Sequence, residues 1–572
     1  NALIDTIIGT LSIYTRICKD FGGENLYPNG DDRILGRYLA DIVQTQLVDD
    51  ISDKYGFAWS RRQLWDRSYS ESRTPQVPSM LLEFLSHHNY ADMKFGLDPD
   101  FRFTASRAIY KGILKFLSWK NNVAYVVQPL PVNNMRVEFE NPSQRSVDYE
   151  ITMEQPVTKK RKNGKSVQTL TSVKKKIATS YNTMGEGEVY AVVSWSAVED
   201  KLEPTAKPIG YILYTAIDDN GYDMGRYVDT TACRIKIEKD HIYRFKVTAV
   251  NAGGESFASE VVAAGVPSSR KSDDVVLVVN AFDRVGAPKW MQSKDSTIAG
   301  FFADYDHGVP YIKDASYLGK MYEYRRSVQW TDDDAPGFGA CYNDQAGNII
   351  AGNTFDYAYD HGLAFMNNGY AFISSTRSAV ENGKTNLNRY FICDMIMGKQ
   401  AQSNNGALTK LVKYHVYTPQ MKEAITKFCA EGRNLLLSGA YVATDLVDAY
   451  EVDLQEGPKF AADVLKIKWM THSAAKDGKV ATVMNKFGFS GNYEYYSELN
   501  AKKYVCEAPD AFTPADKSAY TIMRYPQTSI SAAVVYAGQD YKTAVFGFPI
   551  ETLKSQDQID NLIGQTISFF RR

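Results

Sequence analysis

One nine-residue run, Tyr243-Arg244-Phe245-Lys246-Val247-Thr248-Ala249-Val250-Asn251, constrains the fold of this chain more than any other segment. Tyr243, Phe245, Val247 and Ala249 alternate with Arg244, Lys246, Thr248 and Val250. A period of two sets one group on a buried face and the other toward solvent, the pattern of a half-buried strand and not of a helix. The run stops at Asn251-Ala252-Gly253-Gly254-Glu255-Ser256, which is turn chemistry. Short segments of the same kind flank it: Val189–Trp195, Tyr211–Ile217 and Cys233–Ile237, each bounded by Gly, Asn or Asp. Trp195 lies on one of them, where its ring would fill the middle of a two-sheet core. Pro129-Leu130-Pro131 opens this region and Pro267-Ser268-Ser269 follows it. An antiparallel sandwich is expected between them.

The run resembles the YxFxVxAxNxxGxS signature of fibronectin type III domains. The resemblance implies a sandwich over 121–267 in which Tyr243 makes the corner hydrogen bond. Such modules space or bind, and their combination with other domains implies a secreted or surface setting. An insertion at 157–176 carries Lys159, Lys160, Arg161, Lys162, Lys165, Lys174, Lys175 and Lys176 and no acid. Asn163-Gly164 in its middle signals a two-residue hairpin turn. A projecting basic hairpin is expected, a solvated face or a contact for anionic polymers.

The flanks read differently. Leu35, Leu39, Ile42, Val43, Leu47 and Ile51 recur at helical spacing, so 32–51 is expected to be a helix. The apolar run 79–84 reads as a buried strand of parallel-sheet type, and 100–117 as a helix burying Ile109, Ile113, Phe116 and Leu117. After the sandwich, Val275–Asn280 is a continuous apolar strand. Helix 419–431, strands 434–438 and 543–548, and a last helix with Ile559, Leu562, Ile563, Ile567 and Phe570 on one face complete an α/β pattern. The chain is therefore expected to be multidomain, α/β, then β-sandwich, then doubly wound α/β. A length of 572 residues accommodates about three or four domains at the usual size. A net charge of −2 points to no nucleic-acid partner, and no apolar run is long enough to span a bilayer. No signal peptide is visible, and the first residues read as the middle of a domain. The six cysteines have no metal-ligand or disulfide-framework spacing.

Pro78-Ser79-Met80-Leu81-Leu82-Glu83 resembles the P-x-V-L-V-E run of zinc-dependent N-acetylmuramoyl-L-alanine amidases. The resemblance implies that Glu83 is the general acid/base beside a metal-bound water. The family continues with G-F-L-S-N where this chain has Phe84-Leu85-Ser86-His87-His88-Asn89. Ile8-Gly9-Thr10 and Ile13-Tyr14 fit the residues just after the family's last ligand histidine, so the ligands would precede residue 1. Residues 1–120 would then be the C-terminal part of an amidase-like domain. Zinc is implied for a longer protein and none for this chain. His87 and His88, being adjacent, are expected to point apart. Bacteroidetes surface proteins labelled xanthan lyase-like combine an amidase-type domain, a fibronectin module and a third α/β domain. This chain resembles them along nearly its whole length, including Trp59-Ser60-Arg61-Arg62, Tyr69-Ser70-Glu71 and 106–112. That implies a periplasmic, outer-membrane-associated or secreted protein whose partners are peptidoglycan, another envelope glycan or a surface protein.

Residues 268–572 resemble the class I glutamine amidotransferase-like fold at two points. Leu435-Leu436-Leu437-Ser438-Gly439-Ala440 matches the strand and tight turn that hold the family's cysteine. Phe546-Gly547-Phe548-Pro549-Ile550-Glu551 matches its late His-Pro-Glu strand end. Serine stands at the cysteine and Phe548 at the histidine, so a non-catalytic domain is expected. Asp283, Asp394, Ser438 and Asp445 are its candidate pocket residues. Asp332-Asp333-Asp334 and two copies of Tyr-Asp-His-Gly, at Tyr305–Gly308 and Tyr359–Gly362, are further polar clusters suited to sugar recognition or to a Tyr-rich surface. Two functions follow as expectations: a peptidoglycan amidase, hydrolysing the muramoyl-L-alanine amide bond in the full-length protein, or a non-catalytic envelope component that binds glycan or protein.

Overall fold

The computed structural model describes residues 6–17, 24–160, 166–295, 297–301, 305–314, 324, 327, 347–404, 412–447 and 456–572. The chain is mixed α/β, with large sheets and a smaller number of helices. The Asn163-Gly164 turn, Asp332–Asp334, Cys18 and Cys341 lie outside the described residues.

The first region is a three-stranded sheet, β1 (Thr10–Tyr14), β2 (Arg61–Asp66) and β3 (Leu81–Glu83), with β1 central. Helix α1 (Ile34–Tyr55) and the later helix α3 (Pro99–Asn121) pack on each other, and a short α2 (Tyr90–Gly96) precedes α3. Two expectations change here. The apolar run at 79–84 contributes only a three-residue strand, half-buried and antiparallel to β1. It is an edge strand, so only one side needs covering. Helix α3 buries Phe101, Ala105, Ala108, Lys111, Gly112 and Phe116, while Ile113 and Leu117 are exposed. The reason is close helix packing. A β-carbon at Gly112 would lie 2.7 Å from Val43 Cα, so the small residues face α1 and rotate the larger ones outward.

The middle region has two antiparallel sheets. One joins β4 (Asn133–Phe139), β7 (Val189–Ser196) and β10 (Ala232–Ile237). The other joins β9 (Arg226–Val228), β8 (Gly210–Ile217), β11 (Ile242–Asn251) and β12 (Val262–Gly265). Phe245, Val247 and Ala249 are buried with Trp195 and Val193 from the opposite sheet. The Tyr243 hydroxyl accepts the Glu238 N–H at 3.2 Å. Between β4 and β7 runs a two-stranded ribbon, β5 (Ser143–Lys160) and β6 (Ser166–Thr183), paired with no other strand among the described residues. The described parts of the basic segment, 157–160 and 166–176, thus belong to a longer ribbon. Its base is tied down by Tyr181 stacked on Phe391 and by Arg433 donating to Thr179 Oγ1 at 3.1 Å.

The third region is built on five parallel strands: β13 (Val275–Asn280), β14 (Ala371–Thr376), β15 (Ile392–Gly398), β16 (Asn434–Gly439) and, later in the chain, β19 (Lys542–Phe546). Before β19 come β17 (Ala519–Arg524) and β18 (Ser531–Ala537), which extend the sheet antiparallel beyond it. The spatial order is β14-β13-β15-β16-β19-β18-β17. Helix α4 (Ala358–Asn367) packs on the last helix, α7 (Gln556–Arg571), over one face. Helix α5 (Arg377–Glu381) packs on α6 (Pro419–Ala430) over the other. Both faces being covered explains why every residue of β13 to β16 is buried, with no alternation of inner and outer positions.

The regions are continuous in packing. Strand β12 pairs with β14, so the sandwich adds to the edge of the parallel sheet. Lys111 of α3 is buried against Asp50 at 2.8 Å and donates to the Leu202 carbonyl of the sandwich at 2.9 Å. Tyr90 of α2 donates to the Met291 carbonyl at 2.7 Å, linking the first region to the third.

Candidate functional site

In a parallel sheet, ligands gather outside the carboxyl ends of the strands where the winding reverses. Here β13 leads to β14 on one side, and β14 crosses back to β15 on the other, so the reversal lies between β13 and β15. Asp283 follows β13, and Gln400 follows β15. Gln400 Nε2 donates to Asp283 Oδ1 at 2.6 Å across that gap.

Arg377, the first residue of α5, is the hub of the crevice and is 3% exposed. Its Nη1 donates to the carbonyls of Ala281 at 3.1 Å and Val416 at 3.0 Å, and its Nη2 donates to that of His415 at 2.5 Å. Its Nε lies 3.0 Å from Glu381 and 3.9 Å from Asp283. Asp445 enters from the turn after β16, where its Oδ2 accepts the Val416 N–H at 3.1 Å. Glu260, from the segment ahead of β12, accepts from Asn280 Nδ2 at 2.9 Å. Burial pushes the Asp445 carboxyl up to about 7, against the pull of its hydrogen bonds and of Arg377. Glu260 is likewise raised to about 8 by burial, with Asp283 adding to the rise. Asp283 has a 45% exposed side chain and forms the mouth of the crevice.

Among the described residues, three oxygens of this group are buried without a hydrogen-bond partner: Gln400 Oε1, Asn280 Oδ1 and Asp445 Oδ1. Gln400 donates to Asp283, and Asn280 to Glu260 and the Phe282 carbonyl, so it is the amide oxygens that are left over.

The other expected residues lie elsewhere. Asp394 is on β15, fully buried, and pairs with His361 Nδ1 at 2.6 Å. His361 Nε2 is 3.5 Å from Glu551 Oε2, and Tyr504 donates to Glu551 Oε1 at 2.6 Å. Burial alone would push the imidazole down, but the two carboxylates hold it protonated, raised to about 10. Ser438 lies on the same sheet face as Asp394, one strand across and two residues further along, with its Oγ buried and unpartnered. Phe548 is buried and stacks on Tyr495 at 5.7 Å. A second closed cluster lies nearby. Asp306 is 2.9 Å from Arg284 and 3.4 Å from Lys399, and Lys399 pairs with Glu507.

Glu83 ends β3 with its side chain exposed and makes no hydrogen bond or ion pair among the described residues. His87 and His88 follow in a turn, and their rings lie 3.9 Å apart, not on opposite sides, because the backbone there is not extended. Among the described residues, no group of three or more His, Cys, Asp or Glu side chains is arranged to hold a metal ion. Among the described residues no ligand set stands beside Glu83 into which a zinc ion fits.

Arg377, Gln400 and Glu260 carried no local signal in the sequence, since each joins the crevice through tertiary packing. His361 and Glu551 did carry one. They stand in the second Tyr-Asp-His-Gly and at the end of Phe546–Glu551.

No protein family and no curated protein matches this chain. Among solved structures, one titled "Myokine structure" is similar to 14% of this chain and 82% of its own, at 32% identity and a TM-score of 0.11. An exo-beta-1,4-mannosidase, Op5Man5 from Opitutaceae bacterium strain TAV5, is similar over 37% of this chain at 8% identity and a TM-score of 0.22. The chain spans 30% of the length of that mannosidase. At these TM-scores neither likeness bears on fold or function. No helix among the described residues is long and apolar enough to cross a membrane.

Proposed function

We propose that this chain is a non-catalytic, ligand-binding component of a cell envelope, periplasmic, outer-membrane-associated or secreted. In this reading an amidase-like region (1–120) and a fibronectin type III-like module (121–267) carry a glutaminase-like domain (268–572) that holds an envelope glycan, peptidoglycan included. The observation that supports it is the Gln400–Asp283 bridge across the winding reversal, backed by Arg377 and open to solvent at Asp283. A hydrolytic reading of Ser438 is disfavoured because the histidine on that sheet face, His361, is already engaged by two carboxylates. The test is co-sedimentation with purified peptidoglycan sacculi. The wild-type chain should pellet without releasing soluble fragments, and Asp283→Ala should pellet several-fold less. Equal retention of the two proteins would reject the crevice as the binding site.

The amidase reading is kept for a longer protein that supplies metal ligands ahead of residue 1. One observation favours it. Leu11 is in register with Glu83, and Asn89 donates to the Thr6 carbonyl at 2.6 Å, so the first described residues run alongside the Glu83 strand. Residues preceding them could reach that side. Digestion of sacculi by a zinc-loaded, upstream-extended protein should then cease with Glu83→Gln, and undiminished digestion would remove Glu83 from the reaction.

A further inference from the structure

The crevice around Arg377 also carries information about the charge of what it holds; the inference rests on the glycan-binding reading above. Consider first an anionic ligand such as a phosphate, sulfate or carboxylate. Its natural anchor would be Arg377, but each guanidinium nitrogen is already committed, to Ala281, Val416 and His415 carbonyls and to Glu381. The surrounding side chains are Asp283, Glu381, Glu260 and Asp445, four carboxyl groups around one cation. Among the described residues, an added anion would find no uncommitted guanidinium nitrogen on Arg377 to anchor it.

A donor-bearing ligand meets the opposite situation. Gln400 Oε1 and Asn280 Oδ1 belong to residues 1% and 2% exposed, and Asp445 Oδ1 to one 8% exposed. A buried acceptor without a donor is a cost to the fold, so these oxygens define what the site lacks. All three are acceptors, and the amide orientation that makes them so is set by the carboxylates that take the N–H groups. Among the described residues the acidic side chains are not gathered as a metal cage. The fitting cation is therefore one that donates hydrogen bonds, an organic ammonium with its three N–H groups.

We propose that the crevice between β13 and β15 binds a saccharide carrying a free, protonated amino group, and that Asp283 and Gln400 read that group. The raised carboxyls of Asp445 and Glu260 are consistent with it, since an arriving ammonium would supply the positive charge their ionised forms lack.

Three oligosaccharides of equal length separate the outcomes: a chitosan oligomer (ammonium at C2), a chitin oligomer (acetamide at C2) and a cello-oligomer (hydroxyl at C2). Binding is measured by calorimetry on the whole chain, wild type and Asp283→Asn. Asp283 is half-exposed, and an asparagine there keeps an acceptor for Gln400, so the variant is expected to fold; its thermal midpoint is recorded alongside. The expected result is binding of the chitosan oligomer at least tenfold tighter than of the other two, weakened at least tenfold by Asp283→Asn. If the three bind equally and Asp283→Asn weakens all of them, the ammonium inference is overturned while the glycan crevice stands. If none binds, or the variant binds as the wild type does, both fall.

Discussion

The tetrapeptide Tyr-Asp-His-Gly occurs twice in this chain, and the two copies bury opposite members. In Tyr305–Gly308 the aspartate is inside. Asp306 is 2% exposed, lies between Arg284 and Lys399, and accepts the Gly308 N–H at 2.9 Å within its own turn. In Tyr359–Gly362 the histidine is inside. His361 is fully buried between Asp394 and Glu551, while Asp360 stays partly exposed and pairs with Lys503. The backbone decides which is which. The first copy is a turn, with Gly308 at φ +77°, and an aspartate two residues before such a glycine folds back on the main chain. The second copy lies in helix α4, where residues 358, 361, 362, 364 and 365 form the face toward the sheet, so position 361 turns inward and 360 outward. Identical residues thus acquire opposite electrostatic roles, an anion held by cations in one place and a cation held by anions in the other.

That comparison breaks most sharply at the buried member of each copy. Asp306→Asn should be the more damaging, because it leaves Arg284 and Lys399 without their shared carboxylate; about 3–5 kcal/mol is the usual loss when one partner of a buried pair is removed. His361→Gln should cost a similar amount or slightly less, leaving Asp394 and Glu551 uncompensated. Urea midpoints of the third region would measure both, and a change below 1 kcal/mol in either would mean that its cluster is not the closed network described. The two also differ in pH sign. Burial opposes ionisation of Asp306, but Arg284 and Lys399 hold it low, at about 2. Its contribution is present above the unfolded carboxyl value of about 3.9 and is lost as pH falls through 2. His361 is raised to about 10, so its contribution is full below the unfolded value of about 6.5 and is lost as pH rises through 10. Asp306→Asn should therefore flatten the acid limb of a stability profile, and His361→Gln the alkaline limb. A profile in which His361→Gln leaves the alkaline limb unchanged would contradict a protonated His361.

Which parts were legible in the sequence follows from the same contrast. Elements announced by local pattern were readable: the alternation at Tyr243–Asn251, the apolar run Val275–Asn280, the Leu562/Ile563/Ile567 face of α7. Elements whose orientation depends on a partner were not. Ile113 and Leu117 looked like the buried side of α3, but the Gly112–Val43 approach turns them outward. The run ending in Glu83 looked like a parallel core strand, yet β1 pairs it antiparallel at an edge. At the crevice, Asp283 follows a strand that is plain in the sequence, whereas nothing local marks Arg377. Its role depends on the carbonyls of Ala281, His415 and Val416 converging from three loops, which no spacing records. Ser438 and Asp394, candidates for the same pocket, lie within strands β16 and β15 and not beyond them. The pleat separates them from the crevice, since Asp394 and Ser438 point into the core face and away from the strand ends.

A smaller effect sharpens the comparison from the outer member of the second copy. Asp360→Asn removes the Lys503 partner at a site where both side chains remain 20–25% exposed. Such a pair contributes at most about 1 kcal/mol. The loss should shrink further in 1 M salt, where charges at this depth are screened. A loss as large as that of Asp306→Asn would mean that the two copies bury their aspartates alike, and the contrast would fail.

The smallest effect tests how far the His361 network extends. Ser438 shares the sheet face of Asp394, and its hydroxyl is buried without a partner. A buried hydroxyl that makes no hydrogen bond is a cost to the fold, so its removal is neutral or favourable. Ser438→Ala should therefore change stability by between zero and a gain of about 1 kcal/mol, with the alkaline limb of the profile unmoved. A loss above 1 kcal/mol, or a shift of that limb, would show the hydroxyl bonded to the Asp394–His361–Glu551 group. The second copy would then organise a network that takes in the serine at the end of β16, and that serine would not belong to the silent remainder of the core.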